Sequence, residues 1–462
     1  MKKQLAILVV LLFSIVLDKA GSYVGFQVIA SDKSTFCLDK ITPTITPPEL
    51  VGMSSEKLAL IDSIAKDGIK KKAYPGCQVL IMKDGKTIYD NSFGTFTYDG
   101  SQKVKSTTIY DLASLSKTSG TLLAVMKLYD DGKIQLDEKA SHYLTFLRGT
   151  NKENITIKEL LFHESGLPGS LLFYRLAIEK NNTPPFLLAA KDSVHFVQLR
   201  STTLKYKNSL VSKIPMNEFT IQVSDSIFLH QSFHTAAMQK IVDAPLSAKT
   251  YLYSCINFIL LKEIVETING MPMDLYLEKE FYQPMKLTNT SYLPLRYHSK
   301  EEIAPTMKND FLRNGIIQGY VNDAAAAFLG GISGNAGLFS TAHDVATIHQ
   351  MLLNNGELDG RRYLSEPTCK LFTTITSISG RRGLGFDKPV PSKPTNNPCC
   401  NSAPSTVFGH TGYTGTCCWV DPTNKLIYVF LSNRTYPSDA DNKLARMGIR
   451  TKIQEVIYRS IK

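Results

Sequence analysis

The sequence predicts an α/β (α+β) fold, with one antiparallel sheet made from both chain ends, flanked by helices, and a mainly helical lobe inserted between them. Three patterns carry this expectation. Near the start, Gln78-Val79-Leu80-Ile81-Met82 and Thr87-Ile88-Tyr89 are strand-like and are joined through Asp84-Gly85, a hairpin signature. From Ser114 to about Lys370 most periodic segments are helical. After residue 405 strand-like stretches return, at Ser405 to Phe408, Thr416 to Val420 and Leu426 to Leu431.

The elements follow in order. Lys2 and Lys3 precede an apolar run from Leu5 to Leu17, and small residues Ala20, Gly21 and Ser22 come next. Charge, a short apolar core and small residues describe a secretory signal peptide over 1–22, and the run is short for a membrane span. The mature protein is therefore expected to be periplasmic or secreted, without a stable membrane span after signal cleavage. Residues 23–48 are a Thr- and Pro-rich lead-in, and 49–462 form the main domain, with the helical lobe over about 118–370. Ser54 reads as the N-cap of a helix reaching Lys70. Further helices are expected at Ile157 to Phe162, at Phe258 to Asn269, at Asp344 to Asn355 behind a Thr341-x-x-Asp344 box, and at Met447 to Ile461.

Composition narrows the function. With 462 residues, of which 43% are apolar, the chain has enough material for a substantial core. The net charge is +11, yet the basic residues are scattered and form no stripe interleaved with aromatics, so nucleic acid is not an expected partner. No Cys-x-x-Cys pair is present among the eight cysteines, and His343 and His349 do not share a helix face; no metal or other cofactor is expected. Cys417 and Cys418 are adjacent on a strand and must point to opposite faces, while Cys399 and Cys400 precede them in a loop. A bridge between the pairs and buried free thiols are both compatible with the sequence.

Ser114-Leu115-Ser116-Lys117 carries the chemistry. Residues three apart share a helix face, so the lysine amine reaches the serine oxygen. A serine hydroxyl needs a base to take its proton, and a lysine in an apolar site can lose its charge and become that base. The same spacing at Ser54-Ser55-Glu56-Lys57 is a helix cap, so downstream partners decide the matter. Tyr253-Ser254-Cys255 precedes an apolar helix and places a phenol that can shuttle protons beside a lysine. Gly409-His410-Thr411-Gly412-Tyr413 lies on a C-terminal strand. There Gly412 admits a substrate to the strand backbone, and the Tyr413 and Ser114 amides form an oxyanion pair. His410 donates a hydrogen bond or carries charge near pH 7. The pair His163-Glu164 reads as a helix-ending turn.

In this order the three elements resemble the active-site set of the serine β-lactamase and penicillin-binding-protein superfamily. Ala73 to Val79, Ile155 to Pro168, Ser333 to Thr341 and Gly383-Leu384-Gly385-Phe386 are similar to other segments of that family. The likeness spans roughly residues 50–460 and is greatest to class C-like serine hydrolases of the Bacteroidetes type, including modules fused to family 3 glycoside hydrolases. It implies a β-lactamase/DD-peptidase-like fold, Ser114 as nucleophile, Lys117 as base, Tyr253 as proton shuttle, and substrate contacts from Cys255, His410, Thr411, Gly412 and Tyr413. Cys255 stands where the family has Asn or Asp, and His410 where the typical β-lactamase has lysine. Both departures point away from a dedicated β-lactamase and toward peptidase, amidase or esterase activity on small-molecule or peptide substrates, peptidoglycan fragments among them. A non-catalytic envelope-binding protein is the competing expectation, kept open by Cys255.

Overall fold

A computed structural model describes residues 45–179, 204–390 and 397–462. The expected signal peptide and most of the lead-in lie outside the described residues. Among the described residues no helix is long and apolar enough to cross a membrane.

Ser54 caps the first turn by accepting from the Lys57 amide at 3.3 Å, as its position implies. The helix expected from Ser54 to Lys70 is divided at Ala59, into Ser55–Leu58 and α1 (Leu60–Lys70). The hairpin follows as β1 (Gly76–Lys83) and β2 (Lys86–Gly94), with Asp84 and Gly85 both at positive φ, as a tight hairpin turn of right-handed strands requires. A short strand, β3 (Tyr110–Asp111), leads into the site turn and then to α2 (Leu122–Asp130). In the lobe, α3 (Ile157–Phe162) opens with a Thr156–Glu159 capping box, and α4 (Cys255–Asn269) is capped by Ser254. Next come β4 (Leu338–Ser340) and α5 (Ala342–Leu353), the latter capped by Thr341. The chain closes with β5 (Phe408–Thr411), β6 (Cys417–Asp421), β7 (Leu426–Ser432) and α6 (Ile449–Arg459).

The main sheet has the order β5-β6-β7-β1-β2 and is antiparallel throughout. Both chain ends thus build one sheet, as expected. Its strands are apolar on both faces. Val79, Ile81, Tyr428 and Phe430 pack on one side with Ile61 of α1 and Ile453 and Ile457 of α6. The alternate residues Leu80, Ile427, Val429 and Leu431 join the larger core under α5 and the lobe. Cys417 and Cys418 divide between these two cores, and all described cysteines are free thiols.

Two details differ from the sequence expectation. The strand expected at Ser405 to Phe408 begins at Phe408 and runs to Thr411, because β5 pairs with β6 from Phe408↔Val420 to Thr411↔Cys417. The lobe also contains short strands, at Val211–Ser212, Ile221–Ser224, Ile227–Leu229, Met307–Asp310 and Gly315–Ile317. Their turns, such as Asn314 at φ 52°, are local features that helical periodicity does not register.

Removing the Ile453 side chain, fully buried between α6 and the sheet, leaves a cavity. Ile453→Ala should lower unfolding stability by about 2–5 kcal/mol in urea titration. Leu60→Ala, on the exposed side of α1, should change it by no more than about 0.5 kcal/mol.

Candidate active site

Ser114 sits in a single 3-10 turn, Ala113–Leu115, between β3 and a π-turn at Lys117–Thr121. Ala113 is held at φ 48°, a strained value for a residue with a side chain. Asp111 fixes this turn, since its Oδ1 accepts from the Ala113 amide at 2.8 Å and its Oδ2 from the Asn322 amide at 2.6 Å. The far side is tied to the sheet, with Thr414 Oγ1 donating to Asp111 O and Thr416 Oγ1 donating to Leu112 O.

Lys117 is fully buried, and three groups surround its ammonium. Nζ donates to Ser114 Oγ at 3.1 Å and to the Asn335 carbonyl at 2.8 Å, with Cys255 Sγ at 3.8 Å. Tyr253 Oη donates to the same Ser114 Oγ at 3.0 Å. One half-buried serine oxygen therefore touches both groups able to take its proton.

Opposing influences act on the charge of Lys117, which the sequence reads as the base. Burial favours the neutral amine, but the acidic neighbours Cys255, Tyr253 and Asp323 outweigh it and hold the lysine above its usual range. Tyr253 is likewise raised, chiefly by burial, against the opposing pull of Lys117. Burial also raises the Cys255 thiol, which stays protonated. Lys117 and Tyr253 meet at the one Ser114 oxygen, so the loss of a proton by either is coupled to the other.

Tyr253 is placed by His163. The histidine ends α3 at φ 57°, and its ring packs 4.6 Å from the tyrosine ring. His163 Nδ1 accepts from the Ser254 amide at 3.1 Å and lies 3.2 Å from Asn257 Nδ2. Ser254 then caps α4 and donates to Pro168 O at 2.6 Å, while the Cys255 amide donates to Gly169 O at 2.8 Å. The His163-Glu164 turn is therefore a helix end, as read, and also a support for the site. A histidine in a position that usually takes glycine or asparagine is the one sequence signal of that.

Asn335 was not singled out by its side-chain chemistry, because it acts through its carbonyl. Its amide is oriented by Ser333 Oγ at 2.7 Å and by Asp323 Oδ1 at 3.2 Å. Preceding it, Gly334 has no room for a side chain, since a Cβ there would collide with the Phe258 carbonyl of α4. The segment is further pinned by Thr121 Oγ1 donating to Gly334 O and by the Leu338 amide donating to Ser116 Oγ.

The β5 residues need two corrections. His410 is buried, its Nδ1 lies 2.6 Å from the Thr411 carbonyl, and Nε2 has no partner. Since a carbonyl only accepts, Nδ1 carries the proton and Nε2 is left as an acceptor. Burial, with the Arg382 and Lys117 charges, drives its pKa well below the ordinary histidine value. Burial therefore disfavours a charge on His410, and its one hydrogen bond ties it to its own strand. At Gly412 the close approach is to the Ser114 turn, because a Cβ there would strike Leu112 O and Thr416 Oγ1. Thr411 is half-buried at the end of β5. The Tyr413 ring is exposed, donates to Asp439 at 2.8 Å and lies under Arg434 at 4.3 Å. The tyrosine's backbone, held by Arg434 Nε on its carbonyl at 2.7 Å, is the part that stays by the turn.

Comparison with known proteins identifies the family and the fold. The Beta-lactamase family model matches residues 61–450. The chain is 31% identical over 424 residues to a protein of Escherichia coli O157:H7 named "Putative D-alanyl-D-alanine carboxypeptidase", covering 86% of this chain and 87% of that protein. It is 30% identical over 421 residues to the N-acetylmuramyl-L-alanine amidase of Bacillus subtilis (strain 168), covering 86% and 85%. Among solved structures, a class C β-lactamase superposes with a TM-score of 0.56 at 18% identity, covering 87% of this chain and 98% of that one. The fold is the β-lactamase/DD-peptidase fold, and the chain belongs to the β-lactamase family as one of its serine hydrolases.

Proposed function

We propose that this protein is exported to the periplasm or beyond and cleaves amide or ester bonds through an acyl-enzyme at Ser114, with cell-wall peptides containing D-amino acids as its substrate class. One observation carries the reading. Ser114 Oγ is shared by Lys117 Nζ and Tyr253 Oη at 3.1 and 3.0 Å, so the nucleophile is in contact with the two groups that can exchange its proton. The carboxypeptidase and amidase names of the relatives support the substrate class. The lysine-led apolar start of the chain supports export.

In the first step, starting from the form of the Lys117–Tyr253 pair that has lost one proton, Ser114 Oγ bonds to the substrate carbonyl carbon and its proton passes to that pair. The Ser114 and Tyr413 amides receive the negative oxygen. The C–N or C–O bond then breaks as the pair returns the proton to the leaving group. Water repeats the sequence on the ester, forming the acid and regenerating Ser114. Cys255 leaves this intact, because Asn335 O accepts the lysine proton that an asparagine or aspartate at 255 would share. That contact favours catalysis over a binding-only role.

Three outcomes test this. Intact-protein mass spectrometry after fluorophosphonate treatment should show a single adduct, absent in Ser114→Ala; a folded wild-type protein that takes none would refute the reading. A persistent penicillin adduct should accompany slow turnover of a chromogenic cephalosporin, and rapid cephalosporin hydrolysis would identify a true β-lactamase instead. Cys255→Ala should retain acylation within about tenfold of wild type, since Lys117 keeps its oxygen partners.

The pH dependence has a definite sign. Lys117 and Tyr253 are both shifted upward, so the form able to accept the serine proton, the one that has lost a proton, grows as the pH rises. Acylation by a neutral ester should rise from pH 6 upward, by about tenfold per unit, until the pair titrates. A flat burst rate from pH 6 to 9 would contradict the assignment of the base.

A further inference from the structure

Arg382 is nearly fully buried, at 2% exposure, and its Nε and Nη1 have no hydrogen-bond partner. Asp387 and the Tyr251 hydroxyl beside it favour its charged form against the cost of burial, so a fixed positive charge is held inside the protein. Its position follows from the local sequence. Arg382 and Asp387 face each other across the turn Gly383-Leu384-Gly385-Phe386, and Asp387 pairs in turn with Gly409, the neighbour of His410. Gly385 is at φ 83°, and a Cβ there would press on Leu122. Asp387 is bound chiefly by Arg381, at 2.9 and 3.1 Å, and lies 3.6 Å from Arg382 Nη1. The Arg382 guanidinium stands 5.0 Å from the centre of the Tyr253 ring and 5.8 Å from that of Tyr251.

We propose that Arg382 is a positioning residue for proton transfer, supplying a fixed positive charge beside the ring of Tyr253. The inference rests on the acyl-enzyme reading above. Tyr253 then lies between two cations, with Lys117 Nζ 5.2 Å from its ring. The other titratable groups around it are His163 from the end of α3, Cys255 from α4, His410 from β5, and Asp323 through Asn335. Both histidines are pushed down by burial and then by Arg382. Burial raises the Tyr253 phenol, while Lys117 and Arg382 pull it down. The charge at 382 thus favours the phenolate that takes the serine proton, and it does so without touching substrate.

The test is the pH profile of acylation by a neutral p-nitrophenyl ester, with fluorophosphonate labelling of Ser114 followed in each variant. Arg382→Gln should move the midpoint up by about one pH unit and cut the rate at pH 7 about tenfold, with rates converging on wild type at high pH. Arg382→Lys should move it less. Asp387→Asn removes a countercharge and should move the midpoint down, a direction that a purely structural role does not give. In Arg382→Gln, the added change His410→Lys should bring the midpoint back down. An equal loss at every pH, an unmoved midpoint in Arg382→Gln, a midpoint left in place by His410→Lys, or an upward shift in Asp387→Asn would overturn the proposal. If Arg382→Gln does not fold, the sign of the Asp387→Asn shift decides. A wild-type protein that takes no label would instead defeat the acyl-enzyme reading itself.

Discussion

The site is organised around one buried ammonium. Lys117 has no access to water, and a charge in that position is tolerated only when its protons find acceptors. Ser114 Oγ and Asn335 O are those acceptors, and the faces of Tyr253 and Phe258 lie 5.2 and 5.7 Å away. These partners come from the turn after β3, from the segment before β4, and from the start of α4. Satisfying one lysine therefore brings three distant parts of the chain to one point. The absence of a side chain at Gly334 is part of the same constraint, because only close packing on the Phe258 carbonyl lets the Asn335 carbonyl reach Nζ.

What the sequence reveals and what it hides divide along a physical line. The Asp84-Gly85 hairpin, the caps at Ser54, Thr156 and Thr341, and the two apolar faces of the β7 stretch are local, and each is set by residues close together in the chain. The Ser114–Lys117 spacing is local too, and the contact it implies is present. Other features depend on what folds against a residue from far away. The Asn335 carbonyl, the His163 ring beneath Tyr253 and the buried state of His410 leave no mark on neighbouring residues. Residues close in sequence say nothing of the Asn335 carbonyl that meets Lys117 or of the Arg382 and Lys117 charges that act on His410.

His410 bears on what the cleft accepts. Its donor is committed to Thr411 O, so a group reaching Nε2 meets a lone pair. An amide N–H or a hydroxyl is matched there, whereas a carboxylate would oppose acceptor to acceptor. A lysine at the same place would reverse this preference, attracting the carboxylate and repelling nothing on a peptide N–H that could not be met elsewhere. Ser114, Lys117 and Tyr253 meet at the turn after β3 and the start of α4, whereas His410 and Thr411 are carried by the end of β5, so the two parts of the site rest on different elements of the fold.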